Sequence, residues 1–182
     1  MAASATRRVA LIRAIGGATH HAMPLARLCE KLAGKGLKNP SNFLVTGNIF
    51  FDSAKSNAAC KEIVEDTIKE FGITLDVFVR DAAELGTLVK ALPFQQAAIH
   101  RPHHVLAIMF DAPLPAAGVA QLGQYEGPEV VRIVGQTVYV DYVEGVGRSK
   151  LVPGVVERRL KLPGTSRNWN TILKSLALLR AK

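Results

Sequence analysis

Two polar stretches in the last quarter of the chain hold most of the residues able to do chemistry: Glu144-Gly145-Val146-Gly147-Arg148-Ser149-Lys150-Leu151 and Gly164-Thr165-Ser166-Arg167-Asn168-Trp169-Asn170-Thr171. Both gather glycines, cations and side-chain amides where an ordinary loop needs only polarity. In the second stretch the apolar series Trp169, Ile172, Leu173, Leu176 follows helical spacing. This spacing puts Arg167 in the first turn of a final helix, capped by Thr165 or Ser166. A cation at a helix start meets the positive end of the dipole, a conflict that a bound anion removes. Arg167, Asn168, Asn170 and the free N–H groups there form a cradle for phosphate or carboxylate. The glycine turn lies between a strand and a helix, a setting in which backbone amides approach phosphate oxygens, and it carries Arg148 and Lys150. With Arg13 after the first strand, the expected anion-binding set is Arg13, Arg148, Lys150, Arg167, Asn168 and Asn170. The competing reading makes Arg167 a structural partner of a carboxylate such as Glu144, and the glycines a matter of turn geometry.

Other chemistries fit less well. The glycine turn lacks the spacing of a nucleoside-triphosphate loop and of a dinucleotide fingerprint. His20-His21 and the run His100-Arg101-Pro102-His103-His104 offer imidazoles without metal-site spacing, so neither a metal nor a cofactor is expected. Cys29 and Cys60 fall on apolar helix faces, where burial raises a thiol pKa and makes it inert. Ser149 beside Lys150 is not a dyad, since neighbours on a helix do not face each other. Asp52, Asp141 and Glu144 are carboxylates that nothing in the sequence places together.

The elements that must carry these residues follow in order. Val9-Ala10-Leu11-Ile12 reads as a buried strand and Ala14 to Ala22 as a loop. Leu25, Leu28, Cys29 and Leu32 make a helix face closed by Gly34 and Gly36. Asn42–Thr46 and Ile49–Asp52 read as a hairpin about Gly47-Asn48. Cys60, Ile63, Val64, Thr67 and Phe71 make a second helix, and Leu75–Val79 a further strand. Asp81 and Glu84 have capping-box spacing before the helix face Leu85, Leu88, Val89, Leu92. Phe94 to Pro102 lacks periodicity and reads as the connector. Thereafter come a strand, His104–Phe110, a small-residue helix, Pro113–Gln124, a hairpin about Gly135-Gln136 and a helix after Lys150. The first half therefore reads β-α-β-β-α-β, and the order strand, helix, hairpin, helix recurs in the second. It predicts an α+β chain of two tandem ferredoxin-like halves, 8–93 and 103–180, each an antiparallel sheet with helices on one face.

Leu11-Ile12-Arg13-Ala14-Ile15-Gly16-Gly17, Thr46-Gly47-Asn48-Ile49-Phe50-Phe51, Pro93-Phe94 and the two polar stretches of the last quarter come in the order of the landmark motifs of a bacterial family. The chain resembles that family, domain of unknown function 1697, from Val9 to about Leu178. The resemblance implies two ferredoxin-like halves and no established activity. Where the family pattern reads Leu-Arg-Gly-Ile-Asn-Val-Gly-Gly, this chain has Ala14-Ile15 directly before Gly16-Gly17, lacking the asparagine and valine. A ligand amide at that loop would then be lost, or replaced by His20 or His21.

A chain of 182 residues, 48% hydrophobic, can bury a sizeable core. Its net charge of +8 exceeds what solubility needs and favours anionic partners. No stretch approaches the ~18 apolar residues of a membrane span, and the cysteine positions suit a reducing compartment. The sequence reading is thus a cytoplasmic protein binding an anionic partner, nucleic acid or a phosphorylated small molecule. Its alternatives are an enzyme acting on a phosphorylated substrate, with Asp141 or His21 moving protons, and a structural protein without a ligand.

Overall fold

A computed structural model describes residues 4–181. In chain order its elements are β1 (Thr6–Ile12), α1 (Gly17–Ala22), α2 (Leu25–Gly34), β2 (Lys38–Phe43), β3 (Asn48–Ser53), α3 (Asn57–Lys69), β4 (Val77–Asp81), α4 (Ala82–Lys90), α5 (Gln95–His100), β5 (Val105–Met109), α6 (Ala116–Gly123), β6 (Val130–Val134), β7 (Thr137–Asp141), a 3-10 turn (Val146–Arg148), α7 (Pro153–Leu160), β8 (Thr165–Asn168) and α8 (Trp169–Arg180). The strands form two four-stranded antiparallel sheets, ordered β2-β3-β1-β4 and β6-β7-β5-β8. The same order about a central first strand is the ferredoxin-like arrangement in both cases. The described residues fall into two compact units, one running to Leu85 and taking in the chain from Ser175, the other Gly86–Lys174.

Each sheet has its own core. In the first, Ala10, Ile12, Ile49, Phe51, Val77 and Val79 meet Leu28, Leu32, Cys60, Val64 and Ile68 of α2 and α3. In the second, Leu106, Ile108, Val138 and Val140 meet Leu122, Val156 and Leu160 of α6 and α7, with Tyr142 and Leu151 buried beside them. Alternation along each strand explains these sets, because every second side chain points to the helix layer. The capping box is realised in both directions: the Glu84 backbone N–H donates to Asp81 Oδ1 at 2.9 Å, and the Asp81 N–H to Glu84 Oε2 at 2.9 Å.

Four local readings change. The loop expected over Ala14 to Ala22 holds α1, whose first bond runs from the His20 N–H to Gly16 O. β2 lies earlier than Asn42–Thr46, because the turn that follows is longer than two residues. Asn48 closes that turn by donating to Phe43 O and Thr46 Oγ1, while Leu44 and Gly47 take φ of 61° and 74°. The stretch read as an aperiodic connector contains α5, held by the Ala98 N–H to Phe94 O and the Arg101 N–H to Ala97 O. Arg167 stands in strand β8, opposite Ala107, and not in the first turn of the last helix.

Candidate functional site

The second sheet brings the two polar stretches to one end. β7 and β8 flank β5 and both run antiparallel to it, so their last residues lie beside the start of β5, with Asp141 opposite Val105 and Asn168 opposite Leu106. At a strand spacing of about 4.8 Å the exits of β7 and β8 are roughly 10 Å apart. The glycine turn leaves from one exit and α8 from the other, with His104 between them. Its ring packs under the turn: a Cβ added to Gly145 would sit 3.6 Å from His104 Nε2. Gly145 also takes φ of 89°, which a side chain would strain.

The turn separates structural from outward-facing residues. Ser149 follows the 3-10 turn with extended backbone, so from here side chains alternate. Ser149 and Leu151 turn inward. The Leu151 N–H donates to Ser149 Oγ at 2.8 Å, and the Tyr142 hydroxyl donates to Leu151 O at 2.8 Å. Burial pushes the Tyr142 hydroxyl pKa up, leaving it a donor at any ordinary pH. Ser149 also bonds Glu129, which accepts from the Tyr125 hydroxyl at 2.6 Å. Burial alone would push the Glu129 carboxyl up, but the Ser149 and Tyr125 hydrogen bonds outweigh it and hold the pKa below the usual value. Arg148 and Lys150 remain outside, both exposed, and among the described residues neither makes an ion pair. The Arg148 and Ser149 amides bond back to Gly145 O and Val146 O, a pattern in which the Val146 and Gly147 amides take no part.

On the other side of β5, Asn168 caps α8. Its Oδ1 accepts from the Thr171 N–H at 2.9 Å and from the Thr171 hydroxyl at 3.1 Å. The helix start is thus satisfied by its own chain and leaves Asn170 exposed. Arg167 is 9% exposed, and its guanidinium donates to Thr165 Oγ1 at 3.0 Å and Ser166 O at 2.8 Å. Burial lowers its pKa to about 10, still cationic at neutral pH. Facing the side of Ala107, it points to the sheet face away from α6 and α7, whereas Asn168 shares the face of Leu106. The expected grouping of Arg167 with Asn168 and Asn170 does not form. Arg13 belongs to the first unit, where it pairs with Asp76 at 3.3 Å.

Sequence reasoning missed a hollow of about 430 Å³ beside this sheet end, lined by Pro93, Phe94, Ala97, His100, Arg101 and Asp141 among others. Arg101 forks onto Asp141, Nε to Oδ1 at 3.1 Å and Nη2 to Oδ2 at 2.5 Å. Asp141 is therefore a fixed anchor for Arg101 and not a free proton carrier. Only Pro93-Phe94 signalled the hollow in sequence, because α5 is too short for periodicity to show.

The sequence profile of the family described as Protein of unknown function (DUF1697) matches residues 5–139. The chain belongs to this family. The DUF1697 match ends at Tyr139, so the glycine turn and the Arg167 stretch lie past its end. The fold is similar to that of the conserved bacterial protein SP0830 from Streptococcus pneumoniae, with a TM-score of 0.75 over 98% of this chain and 100% of that one at 21% identity. No curated protein matches the chain. No helix among the described residues is long and apolar enough to cross a membrane, and no cluster of three His, Cys, Asp or Glu among them could hold a metal ion. Cys29 and Cys60 are free and buried, and burial raises the Cys29 pKa.

The loop after β1 has a strained residue: Ala14 takes φ of 59°. A left-handed alanine costs about 1–2 kcal/mol that glycine would not.

Proposed function

We propose that the protein binds a phosphorylated small molecule at the end of the second sheet, through Arg148, Lys150, Asn170 and the Val146 and Gly147 amides. The observation that supports this is the glycine turn, pinned from inside by Glu129, Tyr142 and Ser149 while its two cations face outward without ion pairs among the described residues. Such a turn presents positive charge at low ordering cost, which is what anion binding requires. Asn168 and Arg167 serve this site by shape, the first capping α8 and the second filling the sheet. Nucleic acid is the weaker partner. The face of the second sheet without α6 and α7 does not offer stacking aromatics, since Tyr139 is buried and its hydroxyl donates to Leu88 O at 2.8 Å. Two buried free thiols suit action in the cytoplasm.

Calorimetric titration with ribose 5-phosphate tests the reading. Binding that drops at least tenfold in the Arg148→Ala, Lys150→Ala double variant, with an unchanged thermal melt, supports it. Equal binding by that variant refutes it, and strong salt-dependent retention on mixed nucleic acid with no ribose 5-phosphate binding would transfer the site to nucleic acid.

A further inference from the structure

The hollow beside Asp141 differs in chemistry from the turn, and the difference identifies what it would hold. Its floor is electrically matched, because Arg101 forks onto Asp141 with both bonds satisfied, so it has no preference for an anion. One wall is apolar, with the Phe94 ring beside Pro93 and Ala97. The polar groups left over include acceptors, beside the Gln96 amide and the Arg101 N–H groups not spent on Asp141. His100 Nδ1 lies 3.0 Å from Gln96 O, and a carbonyl oxygen only accepts, so Nδ1 donates there and Nε2 is the ring nitrogen left to meet a ligand. Gln95 turns its NH2 to Leu92 O at 2.9 Å, which leaves its Oε1 as an acceptor.

An apolar ring wall beside a matched ion pair, with acceptors and donors both present, suits a flat heterocycle whose exocyclic amine donates and whose ring nitrogens accept. The volume of about 430 Å³ is ample for one heterocycle and lies in the range of small-molecule sites. Asp141 ties the two places together: it lines the hollow and is the last residue of the strand that leads into the glycine turn. Resting on the phosphate reading above, we infer that the hollow takes the amino-bearing base of a nucleotide, stacked against Phe94 with its exocyclic amine donating to His100 Nε2, while the glycine turn holds the phosphate. Phe94 and His100 are then specificity residues of that site.

Four probes separate the parts: AMP, ribose 5-phosphate, adenosine, and purine riboside, which is adenosine without the amine. Expected are AMP binding at least tenfold tighter than ribose 5-phosphate and adenosine binding at least fivefold tighter than purine riboside. His100→Ala, at an exposed side chain that folding does not need, should abolish the adenosine preference and leave ribose 5-phosphate binding unchanged. Phe94→Leu, which keeps apolar volume, should bring AMP to within threefold of ribose 5-phosphate. Equal affinities for AMP and ribose 5-phosphate, insensitive to both substitutions, overturn the base site and leave the phosphate reading standing. Adenosine binding lost in His100→Ala, with no gain from the phosphate of AMP, overturns the phosphate reading and leaves the base site. Binding of none of the four overturns both.

Discussion

The two units have the same topology, and the same end of each sheet is built in opposite ways. In the first unit the end where β1 begins and β3 and β4 finish is closed on itself. Arg7 pairs with Asp52 at 3.2 Å, and Asp52 also accepts from Asn39 at 2.8 Å. Arg8 donates to Asn57 Oδ1 at 2.7 Å and to the Ser53 and Thr6 carbonyls, and Asn57 passes the network on to Glu84 at 2.7 Å. In the second unit the corresponding end carries a glycine turn with Arg148 and Lys150 facing water. One end has its charges neutralised by the chain. The other pairs Arg101 with Asp141 but leaves Arg148 and Lys150 exposed. Identical topology thus fixes where loops gather, while side-chain pairing determines how much of the charge gathered there the chain itself neutralises.

That contrast can be broken or sharpened by substitution. The largest effect is expected at Trp169, 4% exposed at the start of α8: Trp169→Ala should cost about 3–5 kcal/mol in denaturant unfolding. Iodide quenching of Trp169 fluorescence in the free protein would contradict its burial.

Next comes the closed end. Arg8→Ala removes hydrogen bonds from a buried cation and leaves the Ser53 and Thr6 carbonyls short of a donor, so a loss of about 2–3 kcal/mol is expected. If chemical denaturation gives the same value for Arg148→Ala, the two ends do not differ as argued.

Glu129 tests whether the open end is held from beneath. Glu129→Gln should cost about 1–2 kcal/mol at neutral pH through weakened bonds to Tyr125 and Ser149. The folded carboxyl sits below the unfolded value of 4.5, so the carboxylate's contribution is present above that pH and fades as pH falls through the lower folded value. The gap between wild type and Glu129→Gln should therefore narrow on acidification below 4.5. A gap that widens in acid would reverse the sign of the shift.

A smaller effect, in the stabilising direction, belongs to the first unit. Ala14→Gly should relieve the left-handed alanine and raise stability by about 1 kcal/mol, less the extra entropy of the unfolded glycine. A fall in melting temperature would mean that Ala14 is not strained.

The smallest effect on stability is expected at the candidate site. Arg148→Ala with Lys150→Ala should change unfolding free energy by no more than about 0.5 kcal/mol, as exposed substitutions do. A melting temperature lowered as far as by Arg8→Ala would make the pair structural.

The sequence by itself determined the layer architecture. Apolar residues at helical spacing in α2, α3 and α8, alternation in β7 and the Gly135-Gln136 hairpin are local patterns, and burial follows them because each element has only one apolar face. The reciprocal Asp81–Glu84 cap was legible for the same reason, its partners being three residues apart. Tertiary structure decided what depends on distant pairing. Thr165–Asn168 has no apolar alternation and looks like a helix cap, yet it becomes a strand because β5 offers it an unpaired edge. This one pairing moves Arg167 from a helix start into the sheet and hands the cap to Asn168. Likewise the placing of the glycine turn and the start of α8 at one sheet end, and of α5 against Asp141, comes from strands adjacent in space and far apart in sequence, which no local pattern encodes.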